Sequence, residues 1–196
     1  MNHLTQIRQR IDALLHTDRP VLVAIDGNCT AGKTTLADVL AREYDCNVFH
    51  MDDFFLRPEQ RTPQRLAEPG GNVDYERFRQ EVLLPLQAGE PVTYRPYDCH
   101  SRSLKAPVTV QPRQLNLIEG TYSRHPGFGD PYQLRIFLTV PPELQRQRVA
   151  LRPEAVRQRF LDQWIPMEQQ YFETFSIRDT SDLVLETISV SEPASP

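Results

Sequence analysis

The chain has 196 residues, of which 39% are hydrophobic, and a formal net charge of −4; this length suits one globular domain, or one domain with an insertion. No run of about 18 apolar residues occurs, so no membrane span is expected, and the negative charge gives no footprint for duplex nucleic acid. The three cysteines, Cys29, Cys46 and Cys99, lack metal-binding spacing, which favours a reducing cytoplasm over a disulfide framework.

Apolar periodicity predicts alternating helices and strands along the chain. Residues 4–15 have the spacing of an amphipathic helix within the N-terminal segment 1–18, and residues 21–25 form an apolar run typical of a strand buried on both faces. Further helices are predicted over residues 33–43, 74–86, 142–151 and 154–175, and further strands over residues 46–51, 115–118, 134–140 and 183–187.

Short β-type runs predict an inserted hairpin over about residues 91–112. The Pro- and Arg-rich residues 57–71 have no predicted role, and residues 189–196 are expected to be frayed. Because buried strands alternate with helices, we predict a single α/β domain over residues 1–196. It is expected to be a three-layer sandwich, with a parallel five-stranded sheet and helices on both faces.

Residues 27–34 read Gly-Asn-Cys-Thr-Ala-Gly-Lys-Thr and fit the phosphate-loop pattern G-x-x-x-x-G-K-[ST] at every position. The motif follows a predicted buried strand and opens a predicted helix, which is the context that this pattern requires. Its glycines let the backbone fold around phosphate oxygens, and the helix N-terminus adds amide donors. Lys33 supplies an ammonium group to the β and γ phosphates, and the Thr34 hydroxyl can ligate Mg²⁺. The predicted nucleotide-binding residues of this loop are Gly27, Asn28, Cys29, Thr30, Ala31, Gly32, Lys33, Thr34 and Thr35.

Lysine is rare, since only Lys33 and Lys105 among the 22 basic residues are lysines. Lys33 lies where a phosphate loop needs a compact, flexible ammonium group, for which arginine is a poor substitute. Lys105 has no predicted role. The chain contains no N-K-x-D motif to read guanine, so a GTPase is not expected. At this length, a small-molecule kinase is the best fit to the phosphate loop.

Acidic residues follow two predicted strands, at the sheet edge where parallel α/β proteins bind their ligands. Asp52 and Asp53 follow the second strand, and Asp52 is the predicted base for an acceptor hydroxyl, with Asp53 less favoured. Glu119 ends a later buried strand and, with Thr34 and Asp52, is a predicted Mg²⁺ ligand. The alternative for Asp52 and Asp53 is a helix N-cap or a solvated turn, and the alternative for Glu119 is an ordinary carboxylate at a strand end.

Arginines cluster around Pro153 in a predicted helix–break–helix unit over about residues 146–160. We expect this unit to be a lid that closes over the triphosphate and excludes water. Arg148 is the predicted catalytic arginine, and Arg152 is a predicted nucleotide-binding residue. The alternative is an ordinary solvated helix face.

These motifs, in this order, resemble those of the uridine kinase family of P-loop kinases, whose relatives include phosphoribulokinase, pantothenate kinase and nicotinamide riboside kinase. After the phosphate loop come residues 51–55 (MDDFF), similar to D-[SD]-F-[YF], and residues 72–75 (NVDY), similar to N-[FV]-D. Residues 97–102 (YDCHSR) look like the family's Y-D-x-x-x-H-S-R hairpin, two residues shorter, and residues 118–120 (IEG) look like its [FI]-E-G. The resemblance covers about residues 20–188.

The resemblance implies a P-loop NTPase fold and roles for residues of the acceptor site. It implies that Asp52 activates a ribose 5′-hydroxyl and that Asp74 holds the ribose hydroxyls. Tyr97 and His100 would contact a pyrimidine base, and Gln163, in the helix after the lid, would face the nucleoside. From residue type alone, Asp74 could instead cap a helix, Tyr97 could pack within the hairpin, and His100 and Gln163 could be surface residues.

We therefore predict a cytoplasmic kinase that uses ATP and Mg²⁺ to phosphorylate the 5′-hydroxyl of a nucleoside, with uridine or cytidine favoured. Two alternatives stay open. One is a kinase for another hydroxylated metabolite, such as nicotinamide riboside, pantothenate or a sugar; the other is a regulatory protein that binds nucleotide without phosphoryl transfer. The expected partner is a small-molecule substrate, with neither nucleic acid nor membrane. The sequence does not decide whether the protein forms a homo-oligomer, or whether ATP or GTP is the phosphoryl donor.

Overall fold

The computed structural model describes residues 3–187. Five of the strands that it describes form one sheet, and four form an inserted hairpin. The strands, in chain order, are β1 (Val21–Gly27), β2 (Cys46–His50), β3 (Val92–Tyr94), β4 (Tyr97–Asp98), β5 (Ser103–Leu104), β6 (Val108–Val110), β7 (Leu115–Glu119), β8 (Leu134–Thr139) and β9 (Leu183–Glu186). The sheet is parallel throughout, in the order β2-β7-β1-β8-β9. The predicted five-stranded parallel sheet is confirmed, and the expected fraying of residues 189–196 lies outside the described residues.

Helices connect the strands of the sheet. They are, in chain order, α1 (His3–Leu14), α2 (Lys33–Glu43), α3 (Pro63–Ala67), α4 (Tyr75–Phe78), α5 (Leu84–Ala88), α6 (Pro142–Ala150), α7 (Glu154–Arg159) and α8 (Ile165–Thr174). Single 3₁₀ turns occupy Met51–Phe54, Pro58–Gln60 and Pro126–Phe128. Turns of π-helix join α4 to α5 (Arg79–Leu83) and α7 to α8 (Phe160–Trp164). The two long helices predicted over residues 74–86 and 154–175 are therefore continuous, but each contains a wider turn.

Alternate side chains of β1 divide the hydrophobic core into two clusters. Val23 is buried in one cluster with Ile11 of α1, and Leu22 is buried in the other with Phe78 of α4 and Phe172 of α8. This division follows from the period of two along a strand, which sends successive side chains to opposite faces. Helices on both faces of the sheet confirm the predicted three-layer α/β fold.

The inserted hairpin is anchored on the 3₁₀ turn that follows β2. Within it, β3 pairs antiparallel with β6 and β4 pairs antiparallel with β5, as predicted. Tyr94 stacks on Phe54 of the turn, with 5.3 Å between ring centroids. Arg77 donates to the backbone carbonyl of Asp53 at 2.8 Å and to that of Arg95 at 2.6 Å. The hairpin therefore lies beside the predicted acceptor residues of the turn.

Residues 57–71, for which the sequence predicts no role, are tied to the start of α4 by one arginine. Arg65 of α3 donates to the carbonyl oxygens of Gly71 and Val73, both at 3.0 Å. It also forms a bidentate pair with the carboxylate of Glu76, at 2.6 and 2.7 Å. Arg65 thus has a structural role in this segment, since its single guanidinium satisfies two backbone carbonyls and one carboxylate.

All three cysteines are free. None of the helices described between residues 3 and 187 has the length and apolar character needed to cross a bilayer.

Candidate active site

The phosphate loop connects β1 to α2 through backbone conformations that few residue types adopt. Gly27 has a φ of 133°, and a Cβ atom there would lie 2.1 Å from the carbonyl oxygen of Leu138. Gly32, which caps α2, has a φ of 92°. Thr30 has a φ of 62°, a left-handed conformation that costs a non-glycine residue about 1–3 kcal/mol. The glycines of the motif are therefore required by the path of the backbone, and Thr30 must be held by its surroundings.

Two polar side chains of the loop fit an anionic ligand. Lys33 is only 9% exposed, and its Nζ donates to the carbonyl oxygens of Gly27 and Asn28, both at 2.8 Å. Thr30 Oγ1 is buried and has no hydrogen-bond partner in the described part of the chain. Buried polar atoms are seldom left unpaired, and backbone amides at a helix N-terminus bind phosphate. The loop therefore fits the phosphates of a nucleotide.

Strand pairing brings three polar side chains together beside the loop. His50 of β2 and Glu119 of β7 are register partners, and His50 Nδ1 lies 2.5 Å from Glu119 Oε1. The Thr34 hydroxyl donates to the same oxygen at 3.2 Å. The hydrogen bond to the buried Glu119 carboxylate raises the pKa of His50, against the desolvation of the imidazole ring. The sequence identified Thr34 and Glu119 as candidates but gave no role to His50.

The predicted Mg²⁺ ligands Thr34 and Glu119 are thus within hydrogen-bond distance of each other. Hydroxyl and carboxylate oxygens suit Mg²⁺, which keeps several waters and uses one or two protein carboxylates together with substrate phosphates. Between residues 3 and 187, no group of three or more His, Cys, Asp or Glu side chains forms a metal site by itself. The oxygens of Thr34 and Glu119 are of the type that Mg²⁺ prefers, so these two residues fit an ion that completes its coordination with water and nucleotide phosphates.

Asp52 lies in the turn after β2 and is open to solvent. The surrounding protein desolvates its carboxyl group and Glu119 adds negative charge, and both effects raise the pKa of Asp52. Lys33 and His50 oppose this shift with positive charge. The candidate base is thus within electrostatic reach of the phosphate-loop lysine and of the predicted metal ligand.

Asp53, the less favoured candidate, has other contacts. The Tyr94 hydroxyl lies 3.4 Å from its carboxylate, and its backbone carbonyl accepts from Arg77. These contacts direct Asp53 toward the hairpin and α4, and they leave Asp52 as the better candidate base.

The arginines of the predicted lid have three kinds of surroundings. Arg148 of α6 donates from Nη1 to the carbonyl oxygen of Thr30 at 2.7 Å, so it reaches the phosphate loop. Arg152 is exposed in the turn between α6 and α7. Arg146 and Arg157 form surface ion pairs with glutamates one helical turn away. The solvated-face alternative therefore describes Arg146 and Arg157, and a contact with bound nucleotide stays a prediction for Arg152.

Asp74 is a helix cap, which is the alternative to its predicted contact with ribose. The side chain is 3% exposed, and its carboxylate accepts from the Arg77 backbone N–H at 3.2 Å and from Gln60 Nε2 at 2.8 Å. Contact with a ribose would require Asp74 to share or exchange one of these partners.

The other predicted acceptor residues lie in different environments. Tyr97 is 4% exposed within the hairpin, which fits a packing role. His100 and Gln163 are exposed, and His100 lies in the turn between β4 and β5, where its backbone N–H donates to Asp98. The described contacts do not bring these residues to one pocket with Asp74, so their nucleoside contacts stay predictions.

Sequence reasoning missed two buried carboxylates beside the loop, Asp26 and Glu168. Asp26 of β1 is fully buried, and its carboxylate accepts from the Gly27 N–H at 2.7 Å and from the Tyr171 hydroxyl at 2.8 Å. Burial raises the pKa of Asp26. A charge at the end of an apolar run is a signal that could have identified Asp26. Glu168 has no such signal, because it lies in a polar stretch of α8.

No protein-family model matches the chain, and no curated protein matches its sequence. Solved structures match its fold. A possible uridine kinase from Bacillus stearothermophilus has a TM-score of 0.68 and 23% identity, over 92% of this chain and 99% of that one. A protein of Silicibacter sp. TM1040, provisionally described as a fructose transport system kinase, has a TM-score of 0.65 and 23% identity, over 94% and 99% of the two chains. Shikimate kinase from Bacteroides thetaiotaomicron has a TM-score of 0.51 and 14% identity, over 88% and 89%. At these identities, the likeness establishes the fold.

Proposed function

We propose that this chain, which has the fold of the P-loop kinases, is a cytoplasmic ATP-dependent kinase that phosphorylates a hydroxyl group of a small molecule. The observation that carries the proposal is the position of four side chains at the carboxyl edge of the sheet: Lys33 and Thr34 at the phosphate loop, Glu119 at the end of β7 and Asp52 in the turn after the neighbouring strand β2. A regulatory nucleotide-binding protein needs a lysine and a metal ligand, but it has no need of an exposed carboxylate on the acceptor side. Asp52 therefore favours a phosphotransferase.

In the proposed reaction, the loop amides and Lys33 bind the donor phosphates. Lys33 exchanges its two carbonyl contacts for phosphate oxygens, which its flexible side chain permits. Mg²⁺, held by Thr34 and Glu119, would neutralise phosphate charge. Arg148, already bonded to the loop, adds positive charge near the phosphoryl group that is transferred.

Asp52 orients the acceptor hydroxyl and takes its proton as the new oxygen–phosphorus bond forms. The bond between the γ-phosphorus and the β–γ bridging oxygen of ATP breaks in the same step, and ADP leaves. The raised pKa of Asp52 brings the carboxyl group closer to neutral pH, which improves a general base. Because the Asp52 side chain is exposed, an acceptor has direct access to it.

For the acceptor, we propose the 5′-hydroxyl of a nucleoside, with uridine and cytidine first, from the motifs shared with the uridine kinase family. The second candidate is a sugar. It is favoured by the likeness to the Silicibacter protein, which is described as part of a fructose transport system, and by the engagement of Asp74 with Gln60 and Arg77.

The test is a coupled assay of ADP release from MgATP, over a panel of uridine, cytidine, nicotinamide riboside, pantothenate and fructose. We expect one acceptor to stimulate ADP release by the wild-type protein, and GTP in place of ATP tests the donor. Nucleotide binding without stimulation by any acceptor would support the regulatory alternative and contradict the proposal.

A further inference from the structure

A buried carboxylate of α8 accepts a hydrogen bond from the backbone of the phosphate loop. Glu168 of α8 is 3% exposed, and its Oε2 accepts from the backbone N–H of Cys29 at 2.9 Å. Its Oε1 accepts from Gln145 Nε2 at 3.1 Å. The carboxylate therefore connects a loop amide to α6.

Gln145 holds the same loop residue from a second side. The side chain is 9% exposed, and its Nε2 lies 3.3 Å from the carbonyl oxygen of Cys29 and 3.2 Å from its Sγ. The backbone N–H and C=O of Cys29 are thus both contacted by side chains from outside the loop. Because an amide nitrogen carries two hydrogens, Gln145 can donate to Glu168 and to Cys29 at once.

We call the contacts of Glu168 and Gln145 with Cys29 the clamp. Along the chain, one of these two residues precedes the lid segment and the other follows it. Gln145 belongs to α6, before the turn that bears Arg152, and Glu168 belongs to α8, after α7 and the π turn. The next loop residue, Thr30, is also held from α6, through Arg148. Thr30 has the left-handed backbone conformation, which persists only where neighbouring contacts impose it. The contacts at Cys29 and Thr30 supply such constraints.

A stability role alone explains Glu168 poorly. A buried carboxylate is costly to desolvate, and that cost is repaid only by close charged partners. Burial raises the pKa of Glu168, and the charge of Lys33 opposes the shift, but the hydrogen-bond partners of the carboxylate are all neutral: the Gln145 amide, and the backbone N–H and the thiol of Cys29. An apolar side chain would avoid the cost of desolvating a carboxylate but would leave the Cys29 N–H without its acceptor, so what the carboxylate supplies at this position is the contact with the loop backbone.

We propose that Glu168 and Gln145 are positioning residues, which fix the backbone of Cys29 so that the phosphate loop is preformed for the donor nucleotide. The inference rests on the proposed function, because it concerns the binding of the nucleotide donor. It assigns Glu168 no contact with the reacting atoms.

The first test is the variant Glu168→Gln, which keeps the size of the side chain but offers one acceptor oxygen for two donors. We expect the dissociation constant of N-methylanthraniloyl-ATP and the KM for ATP to rise about 10-fold, the effect of losing one buried hydrogen bond. The KM for the acceptor should change less than about twofold, because Asp52 and the hairpin are untouched.

The second variant, Gln145→Ala, removes the clamp on the Cys29 carbonyl and leaves the carboxylate in place, so the inference can be tested if Glu168→Gln does not fold. It should weaken donor binding in the same direction. The matched control is Glu173→Gln on the exposed face of α8, where the Glu173 carboxylate accepts from Gln169 at 2.6 Å. This variant should leave the dissociation constant of N-methylanthraniloyl-ATP and the KM for ATP at their wild-type values.

Unchanged donor binding in Glu168→Gln and Gln145→Ala, with a wild-type protein that binds the nucleotide, would overturn this inference alone. Equal rises in the KM for ATP and in the KM for the acceptor, together with a lower melting temperature, would also overturn the inference, because they indicate a general structural role. A wild-type protein that does not bind the nucleotide would overturn the proposed function, and the inference with it.

Discussion

At the scale of single residues, the two lysines of the chain offer a direct comparison. Lys33 is buried in the phosphate loop, with its ammonium group on two loop carbonyls, whereas Lys105 is exposed in the hairpin. Both carry one positive charge, so a difference between their variants reports position and not net charge.

The variant Lys33→Ala should lower kcat/KM for the stimulating acceptor by about 100-fold or more, the usual loss when a preorganised donor to a transferring group is removed. The fold should persist, as checked by circular dichroism. Lys105→Ala should stay within about twofold of wild type. Similar losses in the two variants would show that the loop lysine has no special role.

Asp52 and Asp53 allow a second comparison at neighbouring positions. Asp52→Asn should lower kcat by about 100-fold to 10,000-fold, because the amide cannot accept the hydroxyl proton, while the dissociation constant of ATP changes little. Asp53→Asn should keep most of the activity, since its carboxylate contacts Tyr94. Steady-state kinetics and nucleotide titration measure both effects. Turnover near the wild-type rate in Asp52→Asn would reject it as the base.

At the scale of elements, local pattern predicts most of what the structure shows. The apolar run before Gly27 and the polar, glycine-bounded turn after it specify β1 and the phosphate loop, because strand, turn and helix signals all lie within a few residues. The clamp of Glu168 on Cys29 spans 139 residues, and no local period encodes such a contact. The engagement of Asp74 by Gln60 likewise depends on how residues 57–71 fold back onto α4.

The segment held by Arg65 yields a prediction at this scale. Arg65→Ala leaves two backbone carbonyls and the Glu76 carboxylate without their guanidinium partner, so the free energy of unfolding should fall by about 2 kcal/mol. Urea denaturation measures the change. Arg146→Ala is the control, because its exposed ion pair with Glu143 should contribute at most about 0.5 kcal/mol. Equal effects of the two substitutions would contradict the structural role of Arg65.

At the scale of the whole molecule, the burial of one histidine should make the stability of the fold depend on pH. His125 is 7% exposed, stacks on Tyr75 with 4.0 Å between ring centroids, and accepts the Gly127 N–H at Nδ1. Burial, with a further contribution from the charge of Arg65, lowers the pKa of His125 from 6.5 to about 4. The unfolded chain therefore binds a proton more readily than the folded chain between these values.

The pKa of His125 is lower in the folded chain than in the unfolded chain. The contribution of the neutral imidazole to stability is therefore complete above about pH 6.5 and is lost as the pH falls toward 4. The free energy of unfolding should decrease over that interval by the contribution of His125, whereas buried carboxyl groups with a raised pKa, such as Asp26 and Glu168, act in the opposite direction. His125→Asn, which keeps an acceptor for the Gly127 N–H, should flatten the decrease, while the exposed His16→Asn should not. Urea denaturation at a series of pH values measures the slopes; parallel curves for wild type and His125→Asn would contradict the assignment.

The proposed active site is built from segments that are far apart along the chain. The phosphate loop, the turn after β2 and the end of β7 meet at one edge of the sheet, and α6 and α8 contact the loop from outside. The parallel topology produces this meeting, because the carboxyl ends of all five strands point the same way.

The most direct measurement of the central claim follows the γ-phosphoryl group itself. The wild-type protein is incubated with Mg²⁺, ATP labelled in the γ-phosphate, and the acceptor that stimulates ADP release. We predict that the label appears in a phosphorylated acceptor, in amounts equal to the ADP formed. Label that stays in ATP, or that appears only in inorganic phosphate with every acceptor tested, would contradict the account.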